Sequence, residues 1–253
     1  MRAAIMGRMT RIAGVLLALP AVLSAQSLTQ RIAAAGDGTL RFSFAARPGV
    51  CGNGGNSISI VDSSDEWEGN CEHGPVRVSL RVRSGAVAEA HTYVGGRWRS
   101  AGPAGTDVGT LPASRTATDL LVLAERATGD GEELITAASL ADSTTIWPQL
   151  IALAHKTTVP LDTRKHAIFW LGQAAGAVAA RGLDSIVRDD NGDLELRKQA
   201  VFALSQRPEE EGVPVLIRIA RSNPSGEVRK SALFWLGQSE DPRALELFEE
   251  LLR

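Results

Sequence analysis

A ten-residue phrase occurs three times in the second half of the chain and constrains its fold more than any other feature. The copies read RKHAIFWLGQ at 164–173, RKQAVFALSQ at 197–206 and RKSALFWLGQ at 229–238, so they recur after 33 and 32 residues. Read at 100° per residue, each copy is an amphipathic helix. A period of this length is typical of a solenoid, whose units bury their apolar faces by stacking on their neighbours. The residues predicted to face the core are Ala167, Trp170, Leu171, Ala200, Ala203, Leu204, Ala232, Trp235 and Leu236.

A second helix is predicted upstream of each copy, at 144–156, 180–190 and 211–223, and another follows at 241–252. Pro148 and Pro214 are expected in the first turn of their helices, where the backbone N–H has no partner in any case. Each unit thus consists of a helix, a short turn and a second helix, with an acidic residue two positions before an Arg-Lys pair. This arrangement resembles the HEAT repeat. The match is to the short HEAT-like or E–Z type that also occurs in phycobilisome lyases.

The resemblance covers 144–253 well and 112–143 weakly. It implies a mainly α fold, an α-solenoid of about four HEAT-like helical hairpins spanning 112–253. The pair of helices predicted within 112–141 lacks the repeated phrase, so it is expected to be the atypical end unit that solenoids need.

Residues 1–25 have the pattern of a secretory signal peptide. Arg2, Arg8 and Arg11 precede an apolar run at 12–23, and small residues follow at 24–25. The run is shorter than the about 20 residues that span a bilayer, which disfavours an uncleaved anchor. We therefore expect an exported protein, periplasmic or secreted, without stable membrane insertion. Cleavage removes three arginines and no acid, which takes the net charge from −2 to −5; an acidic protein lacks the basic surface that nucleic-acid binding requires.

The stretch from 26 to 101 predicts a small antiparallel β module. Strand-like text occurs at 40–45 and 57–61, and 75–94 reads as a hairpin that turns at Ser84–Gly85. The Gly/Pro-rich stretch 102–111 is predicted to be the linker to the solenoid.

Cys51 and Cys71, the two cysteines of the chain, both fall in the β module. In an exported protein they are expected to form one disulfide. The alternative is a zinc site that adds His73 and His91, but this spacing matches no familiar zinc-ligand pattern.

Within each copy of the phrase a Lys, a Phe and a Gln recur at i, i+4 and i+8, which places them nearly above one another on a helix. Second helices line the concave surface in HEAT-like solenoids, so these residues are candidates for a groove that binds a peptide or a partner's helix. The competing interpretation, which the aromatic character favours, is that the phenylalanines pack between repeats. The candidate partner-binding residues are Lys165, Phe169, Gln173, Lys198, Phe202, Gln206, Lys230, Phe234 and Gln238.

Two further features of the phrase are predicted to be structural. The arginines at its start are expected to form ion pairs with the preceding acids, and Trp170 and Trp235 are expected to pack between repeats. Arg164, Arg197 and Arg229 are expected to pair with Asp162, Glu195 and Glu227 of their own or of adjacent repeats.

No catalytic or cofactor-binding constellation is evident in the sequence, and no metal site is predicted. The expected function is that of a non-catalytic scaffold that binds a protein or peptide partner in the cell envelope, in an oligomeric state that the sequence leaves open. Two alternatives remain. One is an enzyme or enzyme accessory related to the HEAT-like lyases, although pigment attachment belongs to a cytoplasmic setting. The other is a purely structural spacer.

Overall fold

The computed structural model describes residues 27–55, 57–60, 71–98, 105–174 and 176–253. The predicted signal peptide at 1–25 lies outside the described residues. Within these ranges, no helix is both long enough and apolar enough to cross a bilayer.

Ten helices form in the described ranges, and most of them belong to the solenoid. In chain order they are α1 (Leu28–Ala35), α2 (Ala113–Ala124), α3 (Gly131–Ser139), α4 (Trp147–His155), α5 (Leu161–Gly172), α6 (Ala177–Arg188), α7 (Leu194–Ser205), α8 (Glu209–Ser222), α9 (Gly226–Leu236) and α10 (Pro242–Leu251).

The helices from α2 onward pack in two layers. Four hairpins, α2–α3, α4–α5, α6–α7 and α8–α9, pack side by side, and α10 adds one more helix beside α8. The first helices of successive hairpins contact one another, as do the second helices, so each hairpin stacks on its neighbours. The predicted solenoid of about four hairpins is confirmed, and the repeated phrase forms the second helices α5, α7 and α9.

The apolar stripe of the phrase enters the core as predicted. Ala167, Ala200 and Ala232 have no exposed surface, and the leucine four residues after each is equally buried. Trp235 is only half-buried. Burying these faces between layers is the main stabilising term of such a fold.

The two proline positions differ from each other in the structure. Pro148 stands in the first turn of α4, as predicted. Pro214 lies inside α8, because that helix begins five residues earlier, at Glu209. Three glutamates at 209–211 extend α8 toward its N-terminus, where acidic side chains stabilise the helix dipole. The prediction for Pro214 was therefore wrong.

The N-terminal part forms two sheets. Its strands are β1 (Gly38–Phe44), β2 (Val50–Gly52), β3 (Ile58–Ile60), β4 (Glu72–His73), β5 (Val76–Arg83), β6 (Ala86–Tyr93) and β7 (Gly105–Thr110). The larger sheet has the order β6-β5-β1-β7 and the smaller one the order β3-β2-β4.

The predicted hairpin forms from β5 and β6. Ser84 and Gly85 connect the strands with φ of 51° and 75°, the left-handed conformation that a two-residue turn requires. The alternate residues of β5 predicted to face inward, Val76, Val78, Leu80 and Val82, are fully buried.

Part of the predicted linker is a strand instead. Residues 105–110 form β7, which pairs in parallel with β1 at the edge of the larger sheet. Its residues are half-buried or exposed. A strand held by backbone hydrogen bonds to β1, with little side-chain burial, has no alternating apolar pattern for sequence analysis to detect.

The predicted disulfide joins Cys51 on β2 to Cys71, just before β4. It closes the smaller sheet, in which Cys51 pairs with His73. Because the two sulfurs are bonded to each other, they cannot serve as the thiolate ligands that the zinc alternative needs.

The larger sheet is closed at one edge by the solenoid. The carboxylate of Asp130 accepts a hydrogen bond from the Ala90 N–H of β6 at 3.0 Å, and that of Glu133 accepts from the Thr92 N–H at 2.7 Å. One continuous group of buried apolar side chains runs from the sheet into α2 and α3. Independent folding of the regions 26–101 and 112–253 stays a prediction.

Candidate functional site

The lysines and phenylalanines among the nine candidate partner-binding residues lie on three neighbouring second helices, α5, α7 and α9, and the glutamines follow the ends of these helices. Because these helices pack side by side, equivalent positions form rows across the layer. The glutamines are exposed at 173, 206 and 238, and the lysines are half-buried at 165 and 198 and exposed at 230. We call the row formed by Phe169, Phe202 and Phe234 the aromatic ladder.

The aromatic ladder is largely accessible to solvent. Phe169 is 40% exposed and Phe234 is 59% exposed, whereas Phe202 is half-buried. The favoured interpretation, that all three rings are packed between repeats, is therefore wrong for Phe169 and Phe234. Exposed phenylalanines in a row are unusual on the surface of a folded protein and mark it as a candidate contact surface.

The exposure of each ring depends on the next second helix. The Trp235 indole lies 4.8 Å, centroid to centroid, from the Phe202 ring of the preceding repeat and covers it. At the position equivalent to Trp235, α7 carries Ala203, whose side chain is too short to cover Phe169 in the same way. Trp235 packs between repeats as predicted, and the Ala203 substitution opens the surface over Phe169.

The charged residues beside the ladder neutralise one another. Each lysine pairs with the acid three residues before it on the same helix. The N–O distances are 3.9 Å for Lys165–Asp162, 3.5 Å for Lys198–Glu195 and 2.9 Å for Lys230–Glu227. The hydrogen bond from Lys230 and its positive charge hold the pKa of Glu227 below its usual value. The ladder is thus an apolar row beside paired charges.

The repeated arginines bind backbone carbonyl groups. Arg164 Nε donates to the carbonyl oxygen of Ala154 at 2.8 Å, and Arg197 Nε donates to that of Val187 at 2.9 Å. Arg229 Nη1 donates to the carbonyl oxygen of Asn223 at 2.6 Å. These acceptors lie at the C-terminal ends of α4, α6 and α8, where helix carbonyls lack internal partners.

The predicted ion pairs between these arginines and the acids two positions before them were therefore wrong. Each arginine instead links the two helices of its own hairpin by a hydrogen bond. Arg197 also donates to Asn223 Oδ1 at 3.0 Å and pairs with Asp190 at 3.1 Å, which links two successive hairpins.

Arg207 forms hydrogen bonds to another connection between helices, which sequence analysis missed. Its side chain is buried and donates to the carbonyl oxygens of Gly172 at 3.0 Å, of Gly176 at 3.1 Å and of Ala174, and it pairs with Glu211. The other copies have Ala174 and Ser239 at this position. That irregularity was the available signal, because a charged residue that replaces a small one at a repeat end often has a specific partner.

A second aromatic cluster surrounds His166. The imidazole stacks on Phe169 with a centroid separation of 5.9 Å, and its Nε2 accepts a hydrogen bond from Trp170 Nε1 at 3.0 Å. Burial lowers the pKa of His166, and the charge of Glu132 acts in the opposite direction. A neutral imidazole that accepts from the indole holds Trp170 in place.

The glutamine end of the aromatic ladder opens on a cavity of about 370 Å³ between the last two hairpins. Its wall includes Gln206, Trp235 and Gln238, together with the apolar side chains of Val213 and Leu216. A surface that combines exposed rings, amide groups and an adjoining cavity can hold a partner side chain and hydrogen-bond to its backbone.

The C-terminal quarter of the chain matches a known family. Residues 190–253 match a family model described as HEAT repeats, and this segment contains α7 to α10. No curated protein matches the chain significantly.

Proposed function

We propose that this HEAT-repeat protein is an exported, non-catalytic scaffold that binds a segment of a partner protein across the second helices of its solenoid. The observation that carries the proposal is the exposure of Phe169 and Phe234 in one row with Phe202. Aromatic side chains dominate the energy of protein interfaces because they bury much apolar area with few rotatable bonds.

The aromatic ladder favours an extended segment with regularly spaced apolar residues. Packed helices lie about 8–10 Å apart, so successive rungs are separated by about that distance. A polyproline II segment advances about 3.1 Å per residue with three residues per turn, which brings every third side chain to the same face about 9 Å further along. Apolar residues at i, i+3 and i+6 would therefore reach three rungs, and the glutamine amides could bind the peptide groups between them.

The paired charges limit how strongly the surface can select a partner by its charge. Because each lysine beside the ladder already has a carboxylate partner, the surface offers little net charge to an acidic or a basic segment. Apolar contacts, which do not weaken with salt, are expected to supply most of the affinity.

Export is supported by two features. The sequence pattern at 1–25 is that of a secretory signal peptide, and the described cysteines are joined in a disulfide, a bond that persists mainly in oxidising compartments. The partner is accordingly expected in the cell envelope.

The test is capture of partners by the mature protein from an envelope extract of the source cells. The double variant Phe169→Ser/Phe234→Ser should lose no more than about 2 kcal/mol of stability, because both rings are partly exposed and Phe169 also stacks on His166. Loss of two interface anchors should weaken capture by about thirtyfold or more. Phe202→Ala should also weaken capture, but it should cost about 2 kcal/mol of stability because its ring packs on Trp235.

Leu245→Ser is the matched control. Leu245 is 62% exposed on α10, in the layer of first helices, so its substitution removes exposed apolar surface away from the ladder. The same proteins captured at the same level by the wild type and the double variant would contradict the proposal. Weakened capture by Leu245→Ser would contradict it as well, since binding would then follow general surface hydrophobicity.

A further inference from the structure

A second cavity lies where the β strands meet the solenoid, on the side of Trp170. The segment after β1 pairs with the segment after α3: Ala46 forms a bridge to Ala141, and the Arg47 N–H donates to the Leu140 carbonyl oxygen at 2.8 Å. These two segments, the start of α4 and the end of α5 enclose about 310 Å³, which we call the junction cavity. Its wall includes Arg47, Thr144, Thr145, Trp147, Leu150 and Trp170.

Arg47 brings a positive charge to this cavity, whose other lining residues are neutral. Its guanidinium carbon lies 5.8 Å from the centroid of the Trp170 ring, within the range of a cation–π contact. Its Nε atom is buried and has no hydrogen-bond acceptor among the described residues. Partial burial lowers the pKa of Arg47 below its usual value. A buried donor of this kind is costly to leave without an acceptor.

The start of a helix borders the same space. Helix α4 begins at Trp147, and its N-cap residue, Ile146, makes no side-chain hydrogen bond to the first turn. Both residues line the junction cavity. Pro148 in this turn has no N–H, and the free N–H groups that remain at the helix start favour an anionic ligand. No carboxylate is present among the lining residues that the structure describes.

We propose that the junction cavity binds a single carboxylate attached to a small apolar group. One guanidinium can neutralise one carboxylate and hold it through two parallel hydrogen bonds. A dianion would bring a charge that Arg47 alone cannot balance into a wall that includes Trp147, Leu150 and Trp170. The volume is at the lower end of the range for small-molecule sites, which limits the ligand to about the size of one acylated amino acid.

Two sources supply this chemistry: a free small carboxylate, and the C-terminal residue of a polypeptide. The test titrates the mature wild-type protein with N-acetyl-leucine and with N-acetyl-leucinamide, which lacks the charge, by calorimetry and by ¹H–¹⁵N NMR. N-acetyl-leucine should bind and move the Nε–H signal of Arg47, whereas the amide should bind at least about tenfold more weakly. Equal affinities of the two compounds, or no binding of N-acetyl-leucine, would overturn the proposal.

Variants locate the site. Arg47→Gln should weaken N-acetyl-leucine binding about tenfold or more, and Arg47→Lys should retain part of the affinity because an ammonium cannot form the paired bonds. Arg83→Gln removes an exposed arginine at the end of β5 and should leave binding unchanged. Unchanged affinity in folded Arg47→Gln, judged by its melting curve, would place the ligand elsewhere and contradict the assignment.

Octapeptides distinguish the two sources. A peptide ending in a free leucine carboxylate that binds at least as tightly as N-acetyl-leucine, with loss on C-terminal amidation, identifies a polypeptide end as the ligand. Binding of N-acetyl-leucine with exclusion of both peptides identifies a small free carboxylate. Both results support the carboxylate site, and neither depends on the aromatic ladder.

Discussion

The repeated arginines bind carbonyl groups because of their position relative to the neighbouring acids. Residues two apart on a helix are separated by about 200°, so an arginine at i cannot face a carboxylate at i−2. The lysine that follows is three residues from the same acid and does face it, as the pairs Lys198–Glu195 and Lys230–Glu227 show. Helical geometry alone could therefore have excluded these ion pairs within one repeat, but not between adjacent repeats. Their true acceptors could not be predicted, because they belong to the end of another helix.

At the residue scale, Arg197 should contribute more to stability than any charged residue beside the ladder. Its buried side chain binds Val187, Asp190 and Asn223, so Arg197→Ala leaves several polar groups without partners. We expect a loss of about 2–4 kcal/mol in the free energy of unfolding, measured by urea denaturation. Glu195→Ala, which removes an exposed pair partner, is the control and should change stability by less than about 0.5 kcal/mol. Similar effects of the two substitutions would contradict a larger role for the buried bonds of Arg197 than for the exposed Lys198–Glu195 pair.

At the scale of the helix, two helical glycines, Gly212 and Gly226, differ in the space that is available for a side chain. Gly212 is buried in α8, and a Cβ atom there would lie 2.3 Å from the carbonyl oxygen of Leu204 on α7. Gly226 stands in the first turn of α9 with open space around it, since the nearest atom to a Cβ would be Arg229 Nη2 at 3.7 Å. The close approach of α7 and α8 therefore requires glycine at position 212. Position 226, on α9, has room for a larger side chain.

Gly212→Ala is expected to destabilise the protein by about 1–3 kcal/mol, although alanine is the better helix former. The cause is the backbone shift that the added methyl group forces between α7 and α8. Gly226→Ala should be neutral or stabilise by up to about 1 kcal/mol, because it restricts the unfolded chain without a clash. Thermal and urea unfolding of both variants would measure the difference, and a stabilised Gly212→Ala would show that the two helices can separate without loss.

The helices of the solenoid were predictable because their apolar residues repeat, and the repeated phrase carries that signal. Strand β7 and the first turn of α8 were not predictable in the same way. β7 is held by backbone bonds to β1, and the start of α8 is determined by acidic residues rather than by apolar spacing. The three positions of the aromatic ladder were identified from sequence, but the exposure of their rings was not, because the cover of Phe202 comes from Trp235, a residue 33 positions later.

At the scale of the whole molecule, the sheet and the solenoid share one core. Buried residues continue from β5 and β6 into α2 and α3, and Asp130 and Glu133 of the solenoid accept hydrogen bonds from β6. A cut near residue 110 would expose apolar surface on α3 and leave both carboxylates without these donors.

The fragment 110–253 is therefore expected to remain helical but to melt at a lower temperature than the mature chain. It should also bind a hydrophobic dye that the mature chain does not bind, because one face of its first hairpin has lost its cover. Circular dichroism during heating and dye fluorescence provide the two measurements. Equal melting temperatures without dye binding would show that the solenoid is an independent domain and that the sheet is an appendage.

The cover of Phe202 by Trp235 has a consequence for how such an array can change during evolution. The residue that decides whether a phenylalanine ring is covered or exposed belongs to the next repeat. At that position the next repeat has either tryptophan or alanine. Duplicating the unit that carries Ala203 would open one more phenylalanine, and duplicating the unit that carries Trp235 would close one. Gain or loss of whole repeats can thus change which phenylalanines are exposed for binding, without any point mutation that creates a new binding residue.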